Sequence, residues 1–149
     1  MMLERIEPTH PQIETLFLQL TERPYAISHR NNPSFEEHKN FVVNHPYRAW
    51  FIINDNEKPI GNVYIHTDNS IGLNCPTEIC EDGIKLILGM ITERYSPFHE
   101  IPSVRYGNYF LNVSTENSNL QQKLLNLGLT ESQRTYVFPI NKHFSNERK

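Results

Sequence analysis

Three things are scarce in this chain: sulfur, long apolar runs, and any surplus of one charge. Cysteine occurs twice, at Cys75 and Cys80. A zinc site needs more ligands at closer spacing, and the seven histidines form no His-x-x-x-His pair and the cysteines no Cys-x-x-Cys pair. The two cysteines therefore read as reduced thiols, with no metal. The longest apolar stretch, Ile84 to Ile91, is interrupted by Lys85 and falls far short of the ~20 residues that span a bilayer. Met1-Met2-Leu3-Glu4-Arg5 lacks the basic-then-apolar order of a secretory signal. Seventeen acids against fourteen bases leave a net charge of −3, which gives no broad field for nucleic acid or an anionic membrane. No repeat, low-complexity tract or Gly/Ser linker divides the sequence. The expectation is one cytoplasmic domain over residues 1–140 with a polar tail at 141–149, and with neither nucleic acid nor membrane as a partner.

What is present suits a packed core. At 149 residues roughly two-thirds of the unfolded chain's surface can be buried, and 11% aromatic content is too high for a disordered chain. Ile13, Leu16, Phe17 and Leu20 follow the i, i+3, i+4, i+7 rule, with Pro11 in the first turn and Pro24 as the stop. Ser34-Phe35-Glu36-Glu37 is a capping box opening a second helix whose apolar face is Phe35, Phe41 and Val42 and which ends before Pro46. The period then changes to two. Ala49 to Ile53, Ile60 to Thr67 and Ser70 to Asn74 read as three strands of an antiparallel meander, separated by Asn54-Asp55-Asn56-Glu57-Lys58 and Asp68-Asn69. Ile84, Ile87, Leu88 and Ile91 mark a helix from about Glu81 to Tyr95; Tyr109 to Val113 is a strand, Ser118 to Leu127 a helix ended by Gly128, and Thr135 to Ile140 a last strand. Leu3 to Ile6 is a candidate opening strand. The order predicts a mixed α+β sheet with helices on its faces.

The most informative stretch runs Val113-x-x-x-Asn117-x-x-Leu120-x-x-x-Leu124-x-x-Leu127-Gly128-Leu129. It resembles the fifth strand and fourth helix of the GNAT superfamily of N-acetyltransferases, in which Asn and Gly stand the same eleven residues apart. The order of the upstream elements agrees, so the resemblance covers nearly the whole chain. It implies an acyl-CoA N-acyltransferase-like fold: a mostly antiparallel central sheet, helices on both faces, and a splay between strands four and five. Acetyl-CoA would lie in that splay as co-substrate, its pantetheine arm adding to the edge of Ser70–Asn74, with a backbone N–H near Leu73 or Asn74 as oxyanion donor. Asn117 and the stretch Gly83, Ile84 and Lys85 would serve the cofactor as well. The family's phosphate loop, Gln/Arg-x-x-Gly-x-Gly/Ala, keeps only Gly83 in Cys80-Glu81-Asp82-Gly83-Ile84-Lys85. Glu81 and Asp82 suit a helix N-terminus but stand where the pyrophosphate would bind, leaving Lys85 to compensate.

An ammonium substrate must lose a proton before it attacks. The candidate bases are His66 with Tyr64 on the second meander strand, Glu78 after the third, and Glu37 or His38 on the second helix. Where the family often has a Tyr to protonate the leaving sulfur, seven residues after the Asn, this chain has Leu124; Tyr136 on the last strand is the alternative. The stretch Phe35-Glu36-Glu37-His38-Lys39-Asn40-Phe41 is similar to a helix of family members that acetylate amino-sugar nucleotides or peptide N-termini. The resemblance thus implies direct acetyl transfer to a primary amine, without a covalent enzyme intermediate. The rivals are a degenerate member that binds a ligand or protein without turnover, and an unrelated mixed α+β interaction domain. The family has two strands after the fourth helix and this chain has room for one, so the acceptor pocket is open or is completed by a second subunit in a homodimer.

Overall fold

A computed structural model describes residues 1–23 and 32–140. Nine elements follow in chain order: β1 (Met2–Arg5), α1 (His10–Glu22), α2 (Phe35–Val43), β2 (Ala49–Asp55), β3 (Lys58–Ile65), β4 (Ser70–Asn74), α3 (Glu81–Arg94), β5 (Phe110–Leu111) and α4 (Ser118–Asn126). The strands form one sheet in the order β1-β2-β3-β4-β5. The first three pairings are antiparallel and β4 with β5 is parallel.

Strand alternation divides the side chains between two cores. Phe51, Ile53, Val63, Ile65 and Ile71 face α3 and α4, where Ile84, Ile87, Ile91, Leu120 and Leu124 meet them. Trp50 and Ile52 face the other way, against Ile13 and Leu16 of α1 and Val42 of α2. The sheet is therefore covered by helices on both faces, as the pattern predicts. Among the described residues no helix is long and apolar enough to cross a membrane.

Capping chemistry sets the helix ends. The Ser34 hydroxyl accepts from the Glu37 N–H at 3.2 Å, and the Glu37 carboxylate accepts from the Ser34 N–H at 3.4 Å. Asn117 Oδ1 accepts from the Leu120 N–H at 3.2 Å to open α4. At its far end Gly128 takes a φ of +94°, Leu129 N–H donates to Leu124 C=O and Gly128 N–H to Leu125 C=O. That is a Schellman motif, and it explains the glycine. The β2–β3 turn places Asn56 and Glu57 at positive φ, as a two-residue type I′ hairpin requires.

The turn between β3 and β4 does more than reverse the chain. Asn69, at φ +74°, is completely buried. Its amide donates to the carbonyls of Phe98 and Tyr106 and accepts from the Phe98 N–H. One side chain thus fastens the long segment between α3 and β5 to the sheet. Arg48 helps from β2's side, stacking over Phe98 at 3.9 Å and donating to the Ser96 carbonyl.

Several expectations are corrected. The opening strand is Met2–Arg5 rather than 3–6, and β3 runs Lys58–Ile65, two residues earlier at both ends than expected. The strand expected over Tyr109–Val113 shrinks to Phe110–Leu111. Thr135–Ile140 forms no strand: residues 130–140 are exposed and irregular. The two-residue β5 offers too short a ladder for a further strand, and propensity alone does not hold one in water. Pro24 and the tail 141–149 lie outside the described residues.

Candidate functional site

The parallel pairing of β4 with β5 stops after Ile71 and Leu111. Beyond that point Gly72, Leu73 and Asn74 remain paired with β3, while Asn112, Val113 and Ser114 run on outside the ladder. The two chains part, and a cavity of about 430 Å³ opens between them, bordered by Leu73 and Asn74 on one side and Asn112–Ser114 on the other. Register identifies the free backbone groups. His66 N–H donates to Ser70 C=O, and Gly72 and Asn74 face Tyr64 and Asn62 across the ladder. Alternation therefore turns the polar groups of Ser70, Gly72 and Asn74 toward β3, and the N–H and C=O of Leu73 toward the gap.

The cavity continues under α1 and α2, where its wall becomes aromatic: Phe41, Tyr47, Trp50 and Tyr64 all line it. The rings support one another. Tyr47 and Tyr64 are stacked with centroids 3.9 Å apart, and Tyr47 and Phe41 both set an edge or face against Trp50. The Trp50 indole N–H donates to Asn62 Oδ1 at 3.1 Å, and Asn62 in turn donates to Gln19 Oε1 at 2.8 Å. The indole N–H of this wall is thus spent internally, leaving the ring faces toward the cavity.

The ionisable groups that border the cavity are Arg23, Glu37, His38, Tyr47, Tyr64, Cys75 and Lys123 among the described residues. Burial lowers the pKa of His38, so its ring is neutral at pH 7; Nε2 is buried without a hydrogen-bond partner. Burial, aided by the neighbouring Tyr64 phenol, raises Tyr47 far above the usual phenol range, and burial raises Tyr64 too. The Cys75 thiol is pushed up to about 11 by burial, against the opposing pull of Lys123. It stays protonated at pH 7 and is a poor nucleophile. Lys123 Nζ donates to the carbonyls of Thr77 and Ile79, bringing its charge to the loop that leads into α3.

Two solved structures share this architecture. One is described as "a probable acetyltransferase", with a TM-score of 0.52 and 14% identity over 96% of this chain and 100% of the other. The second is described as "a possible acetyltransferase" from Clostridium difficile 630, with a TM-score of 0.52 and 12% identity over 95% of this chain and 98% of the other. The fold is the acetyltransferase fold. At the level of sequence, no protein-family model and no curated protein matches the chain.

Within the acetyltransferase fold, an acyl-CoA's arm and its pyrophosphate make separate demands. The parted strands meet the first, since Leu73 offers an unpaired donor and acceptor on one strand edge. The N-terminus of α3 is already partly engaged. Cys80 Sγ accepts from the Gly83 N–H at 3.4 Å, and Glu81 Oε1 accepts from Asn126 of α4 at 2.7 Å, so Glu81 is turned aside toward α4. Asp82 and Lys85 lie together on the outer face of α3, with Leu86, Gly89 and Glu93. The cation beside the incoming loop is Lys123, which sequence reasoning passed over because α4 reaches that loop only through tertiary packing.

The residues singled out from sequence fall into two groups. Leu73, Asn74 and Asn117 border the cavity. Gly83 is buried against Ile79, where a β-carbon would stand 2.9 Å from Ile79 Cγ1; Ile84 is a fully buried core residue; Lys85 is exposed on the far side. None of the three borders the cavity, and neither do His66, Glu78 or Tyr136. His66 sits at the β3–β4 turn with Nδ1 3.6 Å from Asp68 and its ring against the edge of Tyr47. Glu78 is exposed in the loop before α3. Tyr136 is 84% exposed, since the strand meant to carry it does not form. Glu37 and His38, the other two candidate bases, do border the cavity. Among the described residues no cluster of three or more His, Cys, Asp or Glu could hold a metal ion.

Proposed function

We propose that this protein is an acyltransferase that moves an acetyl group from acetyl-CoA to a primary amine of a small molecule. The observation that carries this reading is the parting of β4 and β5 around Leu73, continuous with a second, differently lined half of the same cavity. A thioester and an acceptor can then meet where the halves join. A site of about 430 Å³ lies within the ~300–1,000 Å³ usual for small-molecule ligands.

The chemistry follows from the groups present. The neutral amine attacks the thioester carbonyl, a C–N bond forms, and the oxygen's developing charge is met by the Leu73 N–H. The C–S bond then breaks, and coenzyme A leaves as a thiolate, or as a thiol after taking the proton released by the amine. A thiol of pKa ~8.5 is a tolerable leaving group without a dedicated acid, so Leu124 in the place of a tyrosine is no obstacle. Direct attack is favoured over a cysteinyl intermediate, because Cys75 is held protonated by burial. His38, neutral, and Glu37, exposed at the rim, are the cavity's candidate proton acceptors.

One observation favours a second reading, a binding module without turnover. The first turn of α3 carries Glu81 and Asp82, and its Gly83 N–H is already engaged by Cys80, both unfavourable to a bound pyrophosphate. Calorimetric titration with acetyl-CoA, followed by an assay of free thiol released in the presence of primary amines, separates the two. Micromolar binding with amine-dependent thiol release supports the transferase. Binding without release in any amine supports the module, and no binding into the millimolar range removes the transferase and leaves a module for another ligand or a protein.

A further inference from the structure

The acceptor half of the cavity carries a statement about what it accepts. Its wall is made of rings: Phe41 from α2, Tyr47 from the segment before β2, Trp50 from β2 and Tyr64 from β3. Tyr47 is edge-on to Trp50 at 5.1 Å and to Phe41 at 5.8 Å, so these three rings form one corner, with Tyr64 stacked parallel to Tyr47 at 10°. The indole N–H of that corner faces inward, from Trp50 to Asn62. Two cations border the whole cavity among the described residues, and one of them, Lys123, is tied to the carbonyls at Thr77 and Ile79 at the coenzyme end. Among the described residues Arg23 is the cation on the acceptor side, and its charge acts on the Tyr47 and Tyr64 phenols. Among the described residues this wall has no paired cations for a diphosphate, and its apolar ring faces suit an aromatic group.

Size points the same way. A cavity of ~150 Å³ holds a benzene ring, so 430 Å³ shared with a pantetheine arm leaves room for about one ring and a short chain. We infer that the acceptor is an arylalkyl primary amine, its ring lodged in the Phe41–Tyr47–Trp50 corner and its nitrogen directed past Tyr64 toward Leu73. This rests on the transferase reading for its chemistry, in which the amine nitrogen gains the acetyl group, loses a proton, and coenzyme A leaves as the thiol. It does not rest on that reading for the binding. It also replaces the amino-sugar nucleotide that the Phe35–Phe41 resemblance implies.

Trp50 is the chain's single tryptophan, so its emission reports the corner directly. The experiment titrates the intact protein with phenethylamine, with hexylamine and with an amino-sugar nucleotide, excited where only indole absorbs. Thiol release from acetyl-CoA is measured with the same three amines. The expected result is a saturable emission change with phenethylamine, about tenfold tighter than with hexylamine and absent with the nucleotide. Phe41→Ala, a half-exposed position, should weaken phenethylamine about fivefold or more and leave acetyl-CoA affinity unchanged. Equal or tighter binding of the nucleotide or of hexylamine overturns the inference, as does indifference to Phe41→Ala. Phenethylamine binding without thiol release would leave the ring site standing and defeat the transferase reading alone.

Discussion

The ring of Tyr64 lies across the α-carbon of Gly72, so closely that a β-carbon at Gly72 would stand 2.0 Å from Tyr64 Cζ. The two residues face each other across β3 and β4, and Tyr47 stacks on the outer side of the same ring. A glycine in β4 thus seats the ring that joins the half of the cavity between β4 and β5 to its aromatic half. Gly72→Ala must swing Tyr64 off its stack, and should cost about 1–3 kcal/mol of stability as measured by urea unfolding. Acceptor binding should weaken alongside. A loss below about 0.5 kcal/mol would mean that the ring moves freely and the stack is not a fixed wall.

Asn69 is the second structural anchor. It combines a left-handed backbone with three partly buried hydrogen bonds to Phe98 and Tyr106. Asn69→Ala loses the bonds, leaves their partners unsatisfied and strains the backbone, and should cost about 2–4 kcal/mol in urea unfolding. Asn69→Gly relieves the strain and should recover part of that loss. If the two variants are equally stable, the backbone conformation contributes nothing.

Stability should also depend on pH below neutrality. His38 and His45 both have pKa values lowered by burial, with Arg5 adding to the effect at His45. Each ring binds a proton more readily in the unfolded chain, near 6.5, than in the folded one. Stability is therefore full above 6.5 and falls as pH drops from 6.5 toward the lowered folded values. The urea midpoint should decline between pH 7 and pH 5, and His38→Leu should reduce the slope while the His45 share remains. An unchanged slope would place the His38 ring in water.

The absence of a last strand is testable by substitution. Tyr136 and Ile140 are 84% and 99% exposed, so Tyr136→Ala and Ile140→Ser should each shift stability by no more than about 0.5 kcal/mol. In a sheet, burying such residues would make their loss cost roughly 2 kcal/mol or more.

Much of this architecture is legible in the sequence because local rules decide it. The 3.6 period of Ile13, Leu16 and Leu20, the Ser34–Glu37 box, the period-two meander and the Asn117…Gly128 caps each satisfy backbone groups or one buried face with residues close in sequence. Where tertiary partners decide, the sequence is silent. Thr135–Ile140 has strand residues but only the two-residue β5 at that edge to pair with, while Tyr109–Val113 loses most of its ladder where the strands part. The site divides in the same way. Leu73 and Asn74, which border the cavity, are reached through a resemblance that concerns backbone edges. The aromatic corner is not, since Trp50 and Tyr64 meet only through the register of β2 with β3 and Tyr47 stacks on Tyr64 from the segment before β2. Lys123 lies six residues past Asn117 and reaches the α3 loop only because α4 packs there.

Reception of an acyl-CoA arm by the strand edge at Leu73, as proposed, is tested most directly at that residue's N–H. Leu73→Pro removes the N–H that faces the gap and spares the ladder bonds to β3. Calorimetric titration of both proteins with acetyl-CoA should give micromolar binding in the parent and a loss of about tenfold or more in the variant, with the variant still folded and its unfolding midpoint lowered only by the loss of the partly buried Leu73 side chain. Equal affinity in the two proteins, or no binding by the parent into the millimolar range, would contradict it.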